Sequence, residues 1–149
     1  MKRLYFLFVF GGLVNLIISC GQDDSKTTNP QSQNRALLNV SNAPRFDYGL
    51  HLVDSETEQQ FSVTNIGGSP ATEITGNFYF SLSFNYKGGT FPGIGGTCNG
   101  TLLPHSSCTV TVVFSPKSTG SVHSSLEFNY HDGIANTSVT GPNLHGQGI

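Results

Sequence analysis

The stretch that decides the reading runs from Gly96 to Gly120. It holds Gly96-Thr97-Cys98, a second cysteine at Cys108, then Thr109-Val110-Thr111-Val112-Val113-Phe114, and Ser115-Pro116 before a turn that ends at Gly120. Cys108, Val110, Val112 and Phe114 share one parity; Thr109, Thr111 and Ser115 share the other, and Val113 is the one misfit. Period-two alternation with β-branched residues predicts a half-buried strand. Pro116 cannot donate to a ladder and ends it. A Cys98–Cys108 disulfide would close a short loop and stabilise the fold by roughly 3 kcal/mol on the chain-entropy model. Two free thiols and metal ligation are the rival readings. Cys-x9-Cys is not a zinc spacing, and the export signal described next favours the disulfide.

The chain has 149 residues, which predicts one domain. Charged residues make up only 11%, against roughly 25% in an average soluble protein. Phe is abundant, Trp is absent and Gly reaches 18, a composition that suits an extracytoplasmic all-β protein. Lys2 and Arg3 followed by the apolar run Leu4 to Ile18 match a secretory signal, too short for a membrane span. Ile17-Ile18-Ser19-Cys20 then resembles the lipobox of bacterial lipoprotein precursors. That resemblance implies cleavage before Cys20, a diacylglyceryl thioether on its sulfur and acylation of its new amino group, with palmitate-type chains as the membrane anchor. Ordinary signal cleavage nearby, leaving a free thiol, is the alternative. Three cysteines are an odd number for an exported protein, and lipidation of Cys20 leaves Cys98 and Cys108 as a pair. Gly21 after the lipidated residue, in place of an Asp retention signal, favours the outer membrane over the inner.

From Gly21 the chain is polar to about Ala43, which predicts a flexible tether over residues 20–44 and a folded domain over 45–149. Phe46, Tyr48, Leu50 and Leu52 alternate as a first, edge strand. Phe61 and Val63 point inward from a strand ending at Asn65, and Ile66-Gly67-Gly68-Ser69-Pro70 is a turn cluster. Ile74, Phe78 and Phe80 share a parity. Val122, Leu126, Phe128 and Tyr130 alternate with His123, Ser125, Glu127 and Asn129, and Asp132-Gly133 is a hairpin signal. Thr137 to Leu144 offers a weak last strand, placed by Pro142 at an edge or a bulge. About seven short strands and no helix signature predict an immunoglobulin-like β-sandwich without the Cys…Trp…Cys pattern of antibody domains.

Phe46-Asp47-Tyr48-Gly49, then Phe61-Ser62-Val63-Thr64-Asn65-Ile66-Gly67, resembles the opening of bacterial choice-of-anchor D domains, relatives of the abnormal-spindle/Hydin (ASH) domains. Cys98, Leu102 or Leu103, Pro104, Cys108, Phe114, Pro116 and Gly120 follow in the order of that pattern's second half. The departures are His105 at a position usually held by Gly, and an aromatic insertion from Phe84 to Gly96. The resemblance implies an immunoglobulin-like sandwich with no catalytic residues, used as a spacer or adhesive module.

No motif for catalysis or cofactor binding stands out. His51, His105, His123, His131 and His145 show no His-x-His or Glu-x-x-His pairing, so no metal site is predicted. His131-Asp132 lacks a nucleophile motif such as Gly-x-Ser-x-Gly, and Gly93 to Gly96 has no Lys-Ser/Thr after it to make a phosphate loop. Without residues 1–3 the five remaining basic residues face nine acidic ones, a net charge that argues against nucleic acid as partner. The candidate binding loop is the aromatic insertion, with Phe84, Tyr86, Lys87 and Phe91; the competing reading has Phe84 and Phe91 capping the core with only Tyr86 exposed. The expectation is a non-enzymatic lipoprotein, lipid-anchored in the bacterial envelope and facing periplasm or surface, that contacts a protein or envelope polymer. The alternative is an accessory or chaperone-like subunit that pairs an edge strand with its partner.

Overall fold

The computed structural model describes residues 34–79 and 82–149. Cys20 and the whole predicted signal segment lie outside the described residues, as does Phe80. Nine strands are present among the described residues: β1 Leu38–Val40, β2 Arg45–His51, β3 Thr57–Asn65, β4 Ala71–Tyr79, β5 Phe84–Tyr86, β6 Thr101–Leu102, β7 Ser107–Phe114, β8 Gly120–His131 and β9 Asn136–Gly148. They form two sheets, one in the order β1-β3-β7-β5 and the other β2-β9-β8-β4-β6. The fold is an immunoglobulin-like β-sandwich, with nine strands where the sequence suggests seven.

The predicted central strand is β7. Cys108, Val110, Val112 and Phe114 face the other sheet, and Phe61, Phe114, Phe128, Leu126 and Leu144 are enclosed between the layers. Burying each such side chain contributes roughly 1.5–3 kcal/mol. The β7 misfit Val113 is also covered, lying between Glu58 of β3 and Asn85 of β5.

Four sequence expectations are corrected. The tether does not extend to residue 44: Ala36, Leu38 and Val40 are buried, and β1 pairs antiparallel with β3. A three-residue strand is too short to show periodicity. The alternation of β2 fails after Tyr48, leaving Leu50 63% and Leu52 67% exposed. A register shift between Asp47 and Leu50, at Gly49 with φ +80°, inserts an extra residue and reverses the parity. His51 takes the inward place, its ring 5.8 Å from that of Phe114. The last strand is neither weak nor at an edge. β9 has thirteen residues and lies between β2, with which it runs parallel, and β8. Pro142 does mark a bulge: Ser125 pairs with Asn143 but Glu127 pairs with Thr140.

The aromatic insertion is the fourth correction. Phe84 and Tyr86 are 2% and 5% exposed, so neither is available to a ligand, and Phe91 packs edge-on against both Tyr86 and Phe128. The competing reading is also overturned for Tyr86. Lys87 is partly exposed and paired with Glu58 at 2.7 Å. The insertion runs along the free side of β7. Lys87 N–H donates to Thr111 O, Thr111 N–H to Pro92 O, and Thr97 and Cys98 N–H to Thr109 O. The disulfide Cys98–Cys108, with a Cα–Cα distance of 4.8 Å, fastens the end of this segment to the start of β7. An edge that would otherwise expose unpaired backbone is thereby covered.

The Tyr86 hydroxyl is buried and has no hydrogen-bond partner, and burial pushes its phenol pKa upward. A Cβ on Gly76 would overlap that hydroxyl and press on Phe91. An unpaired buried hydroxyl costs roughly 1–3 kcal/mol. Tyr86→Phe should therefore be neutral or stabilising in urea unfolding, while Gly76→Ala should cost about 2 kcal/mol by overpacking and less in the Tyr86→Phe background. A loss above about 1 kcal/mol for Tyr86→Phe alone would show that the hydroxyl is bonded.

Candidate functional site

The outward face of the β2-β9-β8-β4 sheet gathers residues that are distant in sequence. β8 and β9 form a hairpin whose register places His123 opposite His145. The parallel β2–β9 pairing places Asp47 beside His145. One cross-strand row therefore reads Asp47, His145, His123. The next row reads Arg45, Asn143, Ser125, Tyr79. These rows border a shallow concavity of about 510 Å³ lined by Arg45, Tyr79, His123, Asn143 and His145 among others.

The geometry of the first row is specific. The imidazoles of His123 and His145 lie 4.5 Å apart between ring centres, tilted by 43°. His145 Nδ1 is 3.1 Å from Asp47 Oδ2, close but without the alignment of a hydrogen bond, and its side chain is 20% exposed. Asp47 is held from its other side: Oδ1 accepts Gly49 N–H at 2.8 Å, and Arg45 stands 3.6 Å from Oδ2. The Gly49 amide foremost, then His145, holds the Asp47 carboxyl below its usual value of 3.8. Each strand delivers one member, and the Gly49 bulge turns the Asp47 carboxylate back toward its own backbone.

This arrangement is not a catalytic triad. Ser125 Oγ donates to Asn143 Oδ1 and Ser124 Oγ to the Tyr79 carbonyl, so neither hydroxyl is bonded to an imidazole. His131-Asp132 is structural. Asp132 Oδ1 accepts Ile134 and Ala135 N–H in the hairpin turn, and Oδ2 faces Arg35 at 3.4 Å. Among the described residues no three His, Cys, Asp or Glu are arranged to enclose a metal. Phe84, Tyr86 and Phe91 stand in or against the core, on the far side of that sheet from the His pair. The sequence places His123 on a wet face beside Glu127, which is correct as far as it goes. It does not show His145 as the neighbour, because no local spacing encodes a pairing across 22 residues.

No protein-family model matches the chain, and no curated protein matches it. Solved structures do. The VesB protease of Vibrio cholerae is similar over 76% of this chain, with 13% identity and a TM-score of 0.53. A Porphyromonas gingivalis W83 protein of unknown function is similar over 78%, with 11% identity and a TM-score of 0.52. The chain spans 32% of the first and 48% of the second. The ASH/PapD-like domain 7 of human CEP192 is similar over the whole of this chain and 96% of its own, with 13% identity and a TM-score of 0.49. At these identities the first two likenesses speak to the fold alone, and what they share is the sandwich.

Because the folded-state pKa of Asp47 is depressed, its charged form contributes stability above the ordinary carboxylate range and loses it as pH falls through the folded value. Carboxyl NMR titration should place the Asp47 midpoint below 3.8. His145→Ala should raise the midpoint only part of the way back, since the Gly49 amide contact remains. A midpoint at or above the ordinary value in the intact protein would show that the row is not assembled.

Proposed function

We propose that this chain is a lipid-anchored lipoprotein of the bacterial envelope whose immunoglobulin-like sandwich serves as a non-enzymatic module for binding or structural contact. The observation that carries the reading is the Ile17-Ile18-Ser19-Cys20 sequence immediately after the apolar run. The cysteine pairing supports it. Cys98 and Cys108 are joined to each other, which suits an oxidising compartment and leaves Cys20 as the thiol free to take a diacylglyceryl group. Two or three acyl chains anchor firmly where one is marginal. The first described strand starts at the same end of the sandwich as the β8–β9 turn, since Ala36 N–H donates to Asp132 O. On this reading the outer membrane is the favoured site. The non-enzymatic reading is supported by the hydroxyl geometry at the His pair.

The alternative, edge-strand pairing with a partner, meets an obstacle at β2. Asp47 caps Gly49 N–H and His51 Nε2 donates to Tyr48 O, so that edge satisfies part of its own backbone. It finds support at β4, which β8 flanks on one side: on the other side, among the described residues, β6 pairs with Ala71 and Thr72 only and no strand pairs with residues 75–78.

Intact-mass spectrometry of the protein from native membranes, before and after reduction and alkylation, tests the reading. The expected result is an acylated Cys20 at the new N-terminus and two thiols that appear only on reduction. An unlipidated mass would overturn the anchored role, and a lipidated protein that turns over a substrate would overturn the non-enzymatic one.

A further inference from the structure

The imidazoles of His123 and His145 lie close enough together to serve as a two-histidine chelate. Each nitrogen that binds a borderline transition-metal ion lies roughly 2.0–2.1 Å from it, which puts the ion about 3.2 Å from each ring centre. For nitrogen–metal–nitrogen angles between a right angle and tetrahedral, the ring centres then stand roughly 4.5–5.2 Å apart. The observed separation is 4.5 Å, at the near end of that range. The two residues sit opposite each other on adjacent antiparallel strands, where the backbone fixes their spacing.

Asp47 supplies the second feature. A metal-binding histidine commonly presents its other ring nitrogen to a carboxylate, which fixes the tautomer and raises ligand basicity. Asp47 Oδ2 lies 3.1 Å from His145 Nδ1, near enough for a small ring rotation to align that bond and leave Nε2 as the ligating atom. Asp47 is itself held by the Gly49 amide and Arg45. Arg45 is the opposing charge, and its contact with Asp47 partly offsets it. The concavity beside the pair is open to solvent and roomy enough for water to complete the coordination.

We propose that His123 and His145 bind one borderline divalent ion of the copper, nickel or zinc class on the outer face of this sheet, with Asp47 positioning His145 and water filling the remaining places. Imidazole ligands favour these metals over magnesium or calcium. The inference stands apart from the lipoprotein reading, because it needs only the folded sandwich.

The test is calorimetric titration of tag-free protein carrying Cys20→Ser, so that no free thiol competes, with copper(II), nickel(II) and zinc(II) salts in a non-chelating buffer. One ion should bind per chain. His123→Gln and His145→Gln should each weaken binding at least tenfold, and His51→Gln and His131→Gln should leave it within about twofold. Asp47→Asn should weaken it about tenfold and also shift the His145 tautomer populations read from imidazole nitrogen NMR, which a merely structural role would not move. Circular dichroism checks that each variant is folded, and for any that is not, selective copper(II) broadening of the His123 and His145 resonances in the parent protein decides. Binding that survives the double His123→Gln/His145→Gln substitution, or no saturable binding at millimolar metal, would overturn the proposal.

Discussion

Asn65 is completely enclosed, and every polar group it owns is bonded. Its Oδ1 accepts Leu37 and Gly67 N–H, and its Nδ2 donates to the Ser69 and Leu102 carbonyls. Its backbone N–H donates to Ser106 O, and its carbonyl accepts His105 N–H. One side chain therefore joins the entry to β1, the β3–β4 turn and β6, and the same residue's backbone ties in the turn before β7. A buried amide with all its bonds made stabilises and specifies; the same amide with bonds missing costs roughly 1–3 kcal/mol for each orphaned group. Gly67 belongs to the same constraint. Its backbone passes so close to the Arg35 carbonyl that a Cβ would overlap it. The Phe61…Asn65-Ile66-Gly67 pattern thus has a physical meaning: a core anchor, a polar hub and a position that only glycine fits.

Once this end of the sandwich is fixed, the remaining edges have to be managed, and each is managed differently. β7 is covered by the 87–98 segment and its disulfide. β2 is blunted by a bulge and by its own side chains. β1 is only three residues long. On the side of β4 away from β8, residues 75–78 have no pairing strand among the described residues. The aromatic insertion is therefore a structural patch over an exposed edge, with Tyr86 and Phe91 turned inward to hold it down.

The legible parts of the sequence were those where one face is apolar and the other is wet. β3 and β8 show this in Phe61/Val63 and Leu126/Phe128/Tyr130; β7 is legible from the alternation of Val110, Val112 and Phe114 although Thr111 and Val113 on its other face are also covered, and the disulfide and the Asp132 turn announce themselves. Three things stayed hidden for separate reasons. β9 is rich in Thr, Asn and Gly and is held in place by pairing on both sides, so its apolar signal is confined to Val139 and Leu144. β2 changes parity at a glycine whose φ cannot be read from its neighbours. The Asp47–His145–His123 row depends on two registers, one parallel and one antiparallel, and neither is written in any local spacing. Tyr86 was misjudged because a loop rich in glycine looks exposed whether or not it folds back on a sheet.

The dependence of the fold on Asn65 is open to one direct measurement: equilibrium urea unfolding of Asn65→Ala beside the parent protein, with the disulfide intact in both. Four side-chain hydrogen bonds vanish, two of them, to Gly67 N–H and the Leu102 carbonyl, fully buried, so the expected loss is about 2–4 kcal/mol, a sizeable share of the roughly 5–15 kcal/mol that holds a domain folded. A loss below about 1 kcal/mol would contradict the central claim and place the organising constraint elsewhere in the sandwich.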